Sequence, residues 1–399
     1  MRSADYRYIS TDRKTVSSNR RALIYSMVCI LLSLLLTFLA RSSESFAQWY
    51  GDTVTPLYVN TIGRFFSIFP FSVFEFLIYI AALVLLFFLV WNFFLVIKGV
   101  PRLKMRLFRS FSCLLCILTS LLLIFTLTAS VHYSKPALSA GADNSLREYS
   151  RGELLGLAFL LVDEITKLEK EVTFDERGLL LPEDMDLGAT AAEAMRGLAD
   201  RYPALSGYYP SPKPILFSKG MSYLGITGIF SPFTIEANYN RDIAPFLIPY
   251  TVSHEFSHLK GFMREDEAGF LAYLACRDSR SPQFRYSGTL NALLYTLNEL
   301  YNNVDRSLYD SVFLRIPEPV RMEMAYSRSY WKKHTSAVTT IAKSANDKYL
   351  MVNAQTEGVK SYGRIVDLML DEYAHRILAE YKDMIPEYLL DNMAHTELN

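Results

Sequence analysis

His254-Glu255-Phe256-Ser257-His258 is the stretch on which the reading of this chain turns. On a helix, residues four apart lie on one face, so both imidazoles can reach a single ion. Zinc binds neutral imidazole nitrogens at about 2.0–2.1 Å, and a hydrolytic site takes three protein ligands and leaves a position for water. Glu255, beside the first histidine, is placed to accept a proton from such a water. The bland alternative is a helix with two satisfied histidines and a surface glutamate. Only six of the 399 residues are histidine, so chance explains two of them at this spacing poorly.

The flanks support the metal reading. Phe246 to Val252 leads in, and Pro249 followed by Thr251 or Ser253 marks a helix start. Gly261 lets the chain turn after His258. Arg264-Glu265-Asp266-Glu267-Ala268-Gly269-Phe270-Leu271-Ala272 then returns acids to the neighbourhood. Acids also suit the first turn of any helix, but beside H-E-x-x-H a third ligand is the better reading. Residues two apart on a helix point roughly 200° apart, so Glu265 and Glu267 cannot both face one ion. The Glu265 face continues through Ala268, Gly269 and Ala272, which are small enough for close helix approach. The Glu267 face continues through Phe270, Leu271 and Leu274, which suit packing elsewhere. Glu265 is therefore the expected ligand, and Glu267 a supporting partner of a histidine or of Arg264.

H-E-x-x-H followed by a later E-x-x-A-(D/N) resembles the glutamate-zincin metallopeptidases, and this resemblance also selects Glu265. Gly269 stands where that pattern has Asp or Asn, so a hydrogen bond to the ligand shell is missing or supplied elsewhere. Gly225-Ile226-Thr227-Gly228, Pro232-Phe233, Glu236-Ala237-Asn238, the run from His254 to Cys276, and Val359-Lys360-Ser361-Tyr362-Gly363-Arg364 resemble a bacterial membrane family of unknown function, DUF3810. That similarity covers nearly the whole chain. It implies a membrane front end but carries no substrate.

Three apolar segments precede the motif: Ala22 to Ala40, Val73 to Ile97, and Ser110 to Val131. Each has the length to cross a hydrocarbon core of about 30 Å as a helix. The first exceeds the h-region of a signal peptide, about 7–15 residues, which favours an uncleaved anchor. Arg2, Arg7, Arg13, Lys14, Arg20 and Arg21 precede the first span. Lys98, Arg102, Lys104, Arg106 and Arg109 fill an acid-free loop between the second and third. The positive-inside rule puts both regions in the cytoplasm and everything after about residue 132 outside it. Glu75, at the outer edge of the second span, reads as a snorkelling or capping group rather than part of a path.

Composition agrees: 51% of residues are hydrophobic and 21% charged, more apolar than an ordinary soluble domain. A net charge of zero gives no support for a nucleic-acid partner. Four cysteines, three of them in apolar runs, exclude a disulfide framework. Cys113-x-x-Cys116 lies within a span and reads as helix packing rather than a redox or zinc motif.

In residues 132–399, Leu154 to Val172 has helical periodicity through Leu155, Phe159, Val162, Ile165 and Leu168. Pro203 to Pro214 reads as a loop, and Ile215 to Asn240 as short strands. Thr234 to Asn240 is either the edge strand beside the metal, where a substrate backbone adds by pairing, or an ordinary strand and turn. Tyr362 and Arg364 are candidate oxyanion-stabilising groups, with a structural helix start as the alternative. His132, His334, His375 and His395 are isolated and read as packing or surface residues.

The expected protein is mainly α: a cytoplasmic tail at 1–21, a three-helix anchor at 22–131, and a zincin-like α+β domain with a small sheet at 132–399. The expected chemistry is peptide hydrolysis at a plasma membrane, with Zn2+ on His254, His258 and Glu265 and with Glu255 as base. The partners would be the lipid bilayer and a peptide or protein substrate at its outer face. A zinc hydrolase of a non-peptide envelope amide, and a non-catalytic scaffold that keeps a zinc site, are the alternatives. A structural zinc site normally has four protein ligands, and no cysteine but Cys276 lies near. An intramembrane protease fits less well, because the motif lies far beyond the last span. The topology has a direct check. A reporter active only outside the cytoplasm should work after Asn399 and fail within 98–109; the reverse would mean the spans are miscounted.

Overall fold

The computed structural model describes residues 2–138, 149–182, 185–353 and 364–390. Val359 to Gly363, including Tyr362, and His395 lie outside the described residues. The chain is mainly helical with one small sheet. It divides into two compact units. One comprises residues 1–50, 73–135 and 232–234, and the other 51–72, 136–231 and 235–399.

The first unit carries three helices long and apolar enough to cross a membrane: residues 17–42 of α1 (Arg2–Ser42), then, beyond α2 (Glu44–Tyr58), α3 (Val73–Ile97) and α4 (Leu103–Thr128). The last begins at Leu103 rather than Ser110 and ends at Thr128 rather than Val131. Apolarity marks only the hydrocarbon-matched part of a helix. Lys104, Arg106 and Arg109 are good helix formers whose long stems extend it past that part. The Tyr25 hydroxyl meets that of Ser120 at 2.8 Å, and the Cys116 thiol donates to the Ala22 carbonyl at 3.4 Å. All four cysteines are free, and Cys116 packs helix against helix. Glu75 is buried and accepts the Tyr79 hydroxyl one turn later.

In the second unit, α5 (Arg151–Leu168) starts at a capping box between Ser150 and Glu153 and buries the apolar stripe expected of it. It gives way to a 3-10 turn at Glu169–Glu171 instead of running on to Val172. A helix at Leu187–Gly197 and an irregular proline-rich stretch come before the short α6 (Ser218–Leu224). The site helices are α7 (Leu247–Leu259) and α8 (Glu265–Arg277). Around them pack α9 (Pro282–Asn303) and α11 (Arg364–Tyr381), while α10 (Glu318–His334) packs on α6. Helices α8 and α9 approach closely at Gly288, where a Cβ would fall 2.5 Å from Cys276 Cβ. No larger residue fits without separating them.

The sheet has the order β1-β3-β2, where β1 is Lys213–Pro214, β2 is Gly228–Ser231 and β3 is Glu236–Tyr239. β1 runs parallel to β3, and β2 antiparallel to it. Glu236 to Tyr239 is thus the central strand, not the edge. Register and alternation put Gly228, Phe230, Ala237 and Tyr239 on one face. Ile229, Ser231, Glu236 and Asn238 share the other with Lys213.

Residues 51–72, which connect the first two apolar helices, belong to this second unit. Pro56 removes a helical donor, and a π-helical turn at Val59–Gly63 follows. Gly63 then lies against Ile235; a Cβ there would be 3.4 Å from Ile235 Cγ2. Ile235 itself takes a positive φ of 54° at the β2–β3 corner. The Lys213 ammonium donates to the Phe69 carbonyl, and Ser211 N–H to the Ser67 hydroxyl at 3.4 Å.

Within the core, fully buried Glu323 accepts the Leu180 N–H at 2.6 Å and the Tyr286 hydroxyl at 2.7 Å. Burial pushes its carboxyl up to about 7 from an ordinary 4.5. The fold therefore prefers the protonated acid. That preference is fully present below the unfolded value and is lost as pH rises through the folded one, by at most about 3 kcal/mol. Thermal midpoints of the purified chain between these two pH values should fall with rising pH more steeply for wild type than for Glu323→Gln. Equal slopes would show that Glu323 does not titrate in the core.

Candidate metal centre

Helix α7 starts at Leu247, two residues before Pro249. Proline is tolerated in a first turn, where N–H groups have no partner in the preceding turn. No side chain of α7 caps this end. Ser287 of α9 does so in trans: its hydroxyl donates to the Phe246 carbonyl and accepts the Tyr250 N–H at 3.0 Å. The other end closes in a Schellman motif. Gly261 has φ +84°, Gly261 N–H reaches the His258 carbonyl at 2.9 Å, and Phe262 N–H reaches that of Ser257 at 3.0 Å. This turn brings the Phe262 carbonyl under the His258 ring, 2.8 Å from Nδ1. Nδ1–H donates there, which fixes the tautomer with a free Nε2 lone pair.

The His254 and His258 rings stand nearly perpendicular, with centroids 4.6 Å apart. Glu265, the first residue of α8, faces both. Its Oε2 lies 3.2 Å from His254 Nε2 and 3.6 Å from His258 Nε2. Ligand bonds of 2.0–2.2 Å in a tetrahedron imply edges of about 3.3–3.6 Å, close to these separations. Among the described residues, these three form the cluster of metal-ligating groups. His132, His334 and His375 take no part in it.

A partly buried carboxylate between two imidazoles favours a positive charge nearby, whether a proton or a metal ion. Burial opposes charge on His258, yet the Glu265 carboxylate raises its pKa. Burial likewise disfavours ionised Glu265, yet His258 and His254 hold it well below the usual carboxylate range. The triad is thus electrostatically set to take a cation.

The two acids that follow Glu265 have separate partners. Glu267 accepts from Arg264 at 2.9 Å and from Leu138 N–H at 3.0 Å. Asp266 lies 3.7 Å from Arg364 Nε, and burial pushes its carboxyl up to about 6. Arg364 is thus engaged with Asp266. Position 269 has no room for a side chain: a Cβ would meet the Tyr250 hydroxyl at 2.9 Å, and that hydroxyl donates to the Gly269 carbonyl at 3.2 Å. Tyr250 occupies the space that a side chain at position 269 would take.

Glu255 is buried, and burial raises its pKa. It lies against β2, whose Phe230 backbone hydrogen-bonds to it. A Cβ at Gly228 would fall 2.5 Å from Glu255 Oε1 and 2.6 Å from Thr251 Cγ2. Only glycine leaves the carboxylate in place. The Thr227 carbonyl accepts Asn240 N–H at 2.8 Å. The two-residue alternation of an antiparallel ladder then turns the backbone groups of Gly228 and Phe230 away from β3, toward the open edge.

Two tyrosines complete the surroundings. Tyr250 is one turn before His254, so 250, 254 and 258 share a face, a spacing visible in the sequence. Tyr295 of α9 hydrogen-bonds with Tyr250, and its pKa is raised first by burial, with a contribution from Glu265. Nothing local in the sequence marks Tyr295.

A family model for a protein of unknown function, DUF3810, matches residues 50–370. The chain belongs to the DUF3810 family. No curated protein and no solved structure matches it. The match takes in the second and third apolar helices, all three strands and the whole His254–Glu265 cluster. The DUF3810 stretches Gly225–Gly228 and Glu236–Asn238 fall on the sheet that backs Glu255.

The geometry predicts the ranking of ligand variants. After dialysis against zinc, metal analysis of the purified chain should find one ion, lost in His254→Ala, His258→Ala and Glu265→Ala. Glu267→Ala should retain it, with affinity reduced by no more than about 10–100-fold. Equal losses in the two glutamate variants would remove Glu265 from the ligand set.

Proposed function

We propose that this DUF3810 protein is a membrane-anchored zinc metallopeptidase with its active unit on the extracytoplasmic side of a plasma membrane. The observation that carries the reading is the convergence of His254, His258 and Glu265, with buried Glu255 on the same helix. Three protein ligands from the described residues leave a coordination position open, as hydrolysis needs and a structural site does not. Zinc held there supplies a Lewis acid and a water of lowered pKa.

The chain's own groups do the rest. Glu255, made more basic by burial, accepts the proton of the attacking water and delivers it to the leaving amine. The Phe230 N–H is held by Glu255; the outward backbone groups of Gly228 and the Phe230 carbonyl pair with an extended substrate, which favours a peptide over a non-peptide amide. Tyr295, near enough for Glu265 to act on its hydroxyl, is the group offered to the oxyanion.

The test is cleavage of a peptide library, read by mass spectrometry. Glu255→Gln should keep zinc and lose about 10²–10⁴-fold in rate. Gly228→Ala should also keep zinc and lose activity, because its methyl group displaces the base. Wild-type cleavage by Glu255→Gln would remove Glu255 as base.

A further inference from the structure

The segment between the first two apolar helices is tied by its chain to membrane helices at both ends, yet packs in the metal-site unit. One side of it is held by Ile235, by Lys213 and Ser211, and by Tyr208, whose ring lies 4.0 Å under the Arg64 guanidinium. The other side is open. Leu57, Phe65 and Ile68 are 62, 56 and 74% exposed. Just beyond Lys213, Leu216 and Phe217 add a further 51 and 64%. Large apolar side chains shown together to water mark a contact surface.

Charge favours one occupant. No acid occurs between Asp52 and Glu75, nor between Asp200 and Glu236. These are the stretches that carry the exposed residues. Basic Arg64 and Lys219 lie within them. Apolar and aromatic side chains with basic neighbours and no acids match an anionic lipid interface. A soluble partner gives no reason for acid-free stretches at two separate places in the chain. Continuity gives the same answer, since the segment runs directly into the apolar helix that begins at Val73.

We propose that Leu57, Phe65, Ile68, Leu216 and Phe217 form a surface that docks the metal-site unit on the lipid bilayer. Resting on the peptidase reading, this names the substrate class. Helix α6 and the three residues after it separate Phe217 from Gly228. Helical and extended rises set that path at roughly 25 Å. The edge beside Glu255 therefore lies within reach of the bilayer surface. The fitting substrates are juxtamembrane stretches of membrane-anchored proteins.

The experiment uses the full chain in nanodiscs of phosphatidylethanolamine and phosphatidylglycerol. A photoreactive benzoylphenylalanine replaces Phe217, or Phe87 in α3 as positive control, or Leu314 as negative control; the controls are 66 and 69% exposed. After irradiation, mass spectrometry should find the added mass of one phospholipid at positions 217 and 87 and none at 314. Lipid at 87 without lipid at 217, equal labelling at 217 and 314, or a cross-link from 217 to a second protein chain would each overturn the proposal. The chain with Glu255→Gln should label identically. Loss of the peptidase reading would thus leave this result standing, and the reverse holds too.

Discussion

A partly buried carboxylate placed between two imidazoles is the constraint around which this unit is built. Glu265 can reach His254 and His258 only if α8 approaches α7 closely, and the helices meet through small residues. Ala268 and Ala272 are fully buried, and Gly269 leaves room for the Tyr250 ring and hydroxyl. Cys276 touches Ser253 at 3.6 Å between Sγ and Oγ. Gly288 then draws α9 against α8, which lets Ser287 cap the start of α7, where no local side chain does. The cluster, the helix spacing and the cap are one arrangement. A larger side chain at any of these contacts moves one of the three groups of the cluster.

Much of this was legible because it is local. The 3.6-residue period alone puts His254 and His258 on one face, and it separates Glu265 from Glu267. Gly261 was readable as a helix stop. Its finer consequence, a carbonyl turned toward His258 Nδ1, follows from the same motif once the register is known. The three apolar helices were legible from length and composition. The start of α4 was not, because its basic first turns extend a helix that apolarity alone cuts short.

What was not legible is long-range. The role of Gly228 depends on a contact with Glu255, twenty-seven residues later in the chain. Strand order hinges on β1, a pair of residues in a proline-rich stretch whose pattern reads as loop; its pairing makes β3 central and leaves β2 at an edge. Residues 51–72 read as a connector between spans, and no periodicity signals that they pack against the β2–β3 corner. Arg364 was readable as a charged residue near a helix start, but not its pairing with Asp266. The sheet face opposite Glu255 holds Glu236, Asn238, Ser231 and Lys213, all buried. Polar groups of this kind stay buried only with partners. One such partner, the Phe69 carbonyl, comes from the connector.

The most direct measurement of the central claim is X-ray absorption at the zinc edge on the purified, zinc-loaded full chain. An open site on His254, His258 and Glu265 predicts two imidazole nitrogens with carboxylate and water oxygens at about 2.0–2.2 Å and no sulfur. A sulfur shell at about 2.3 Å, or a spectrum without the paired imidazoles, would contradict it.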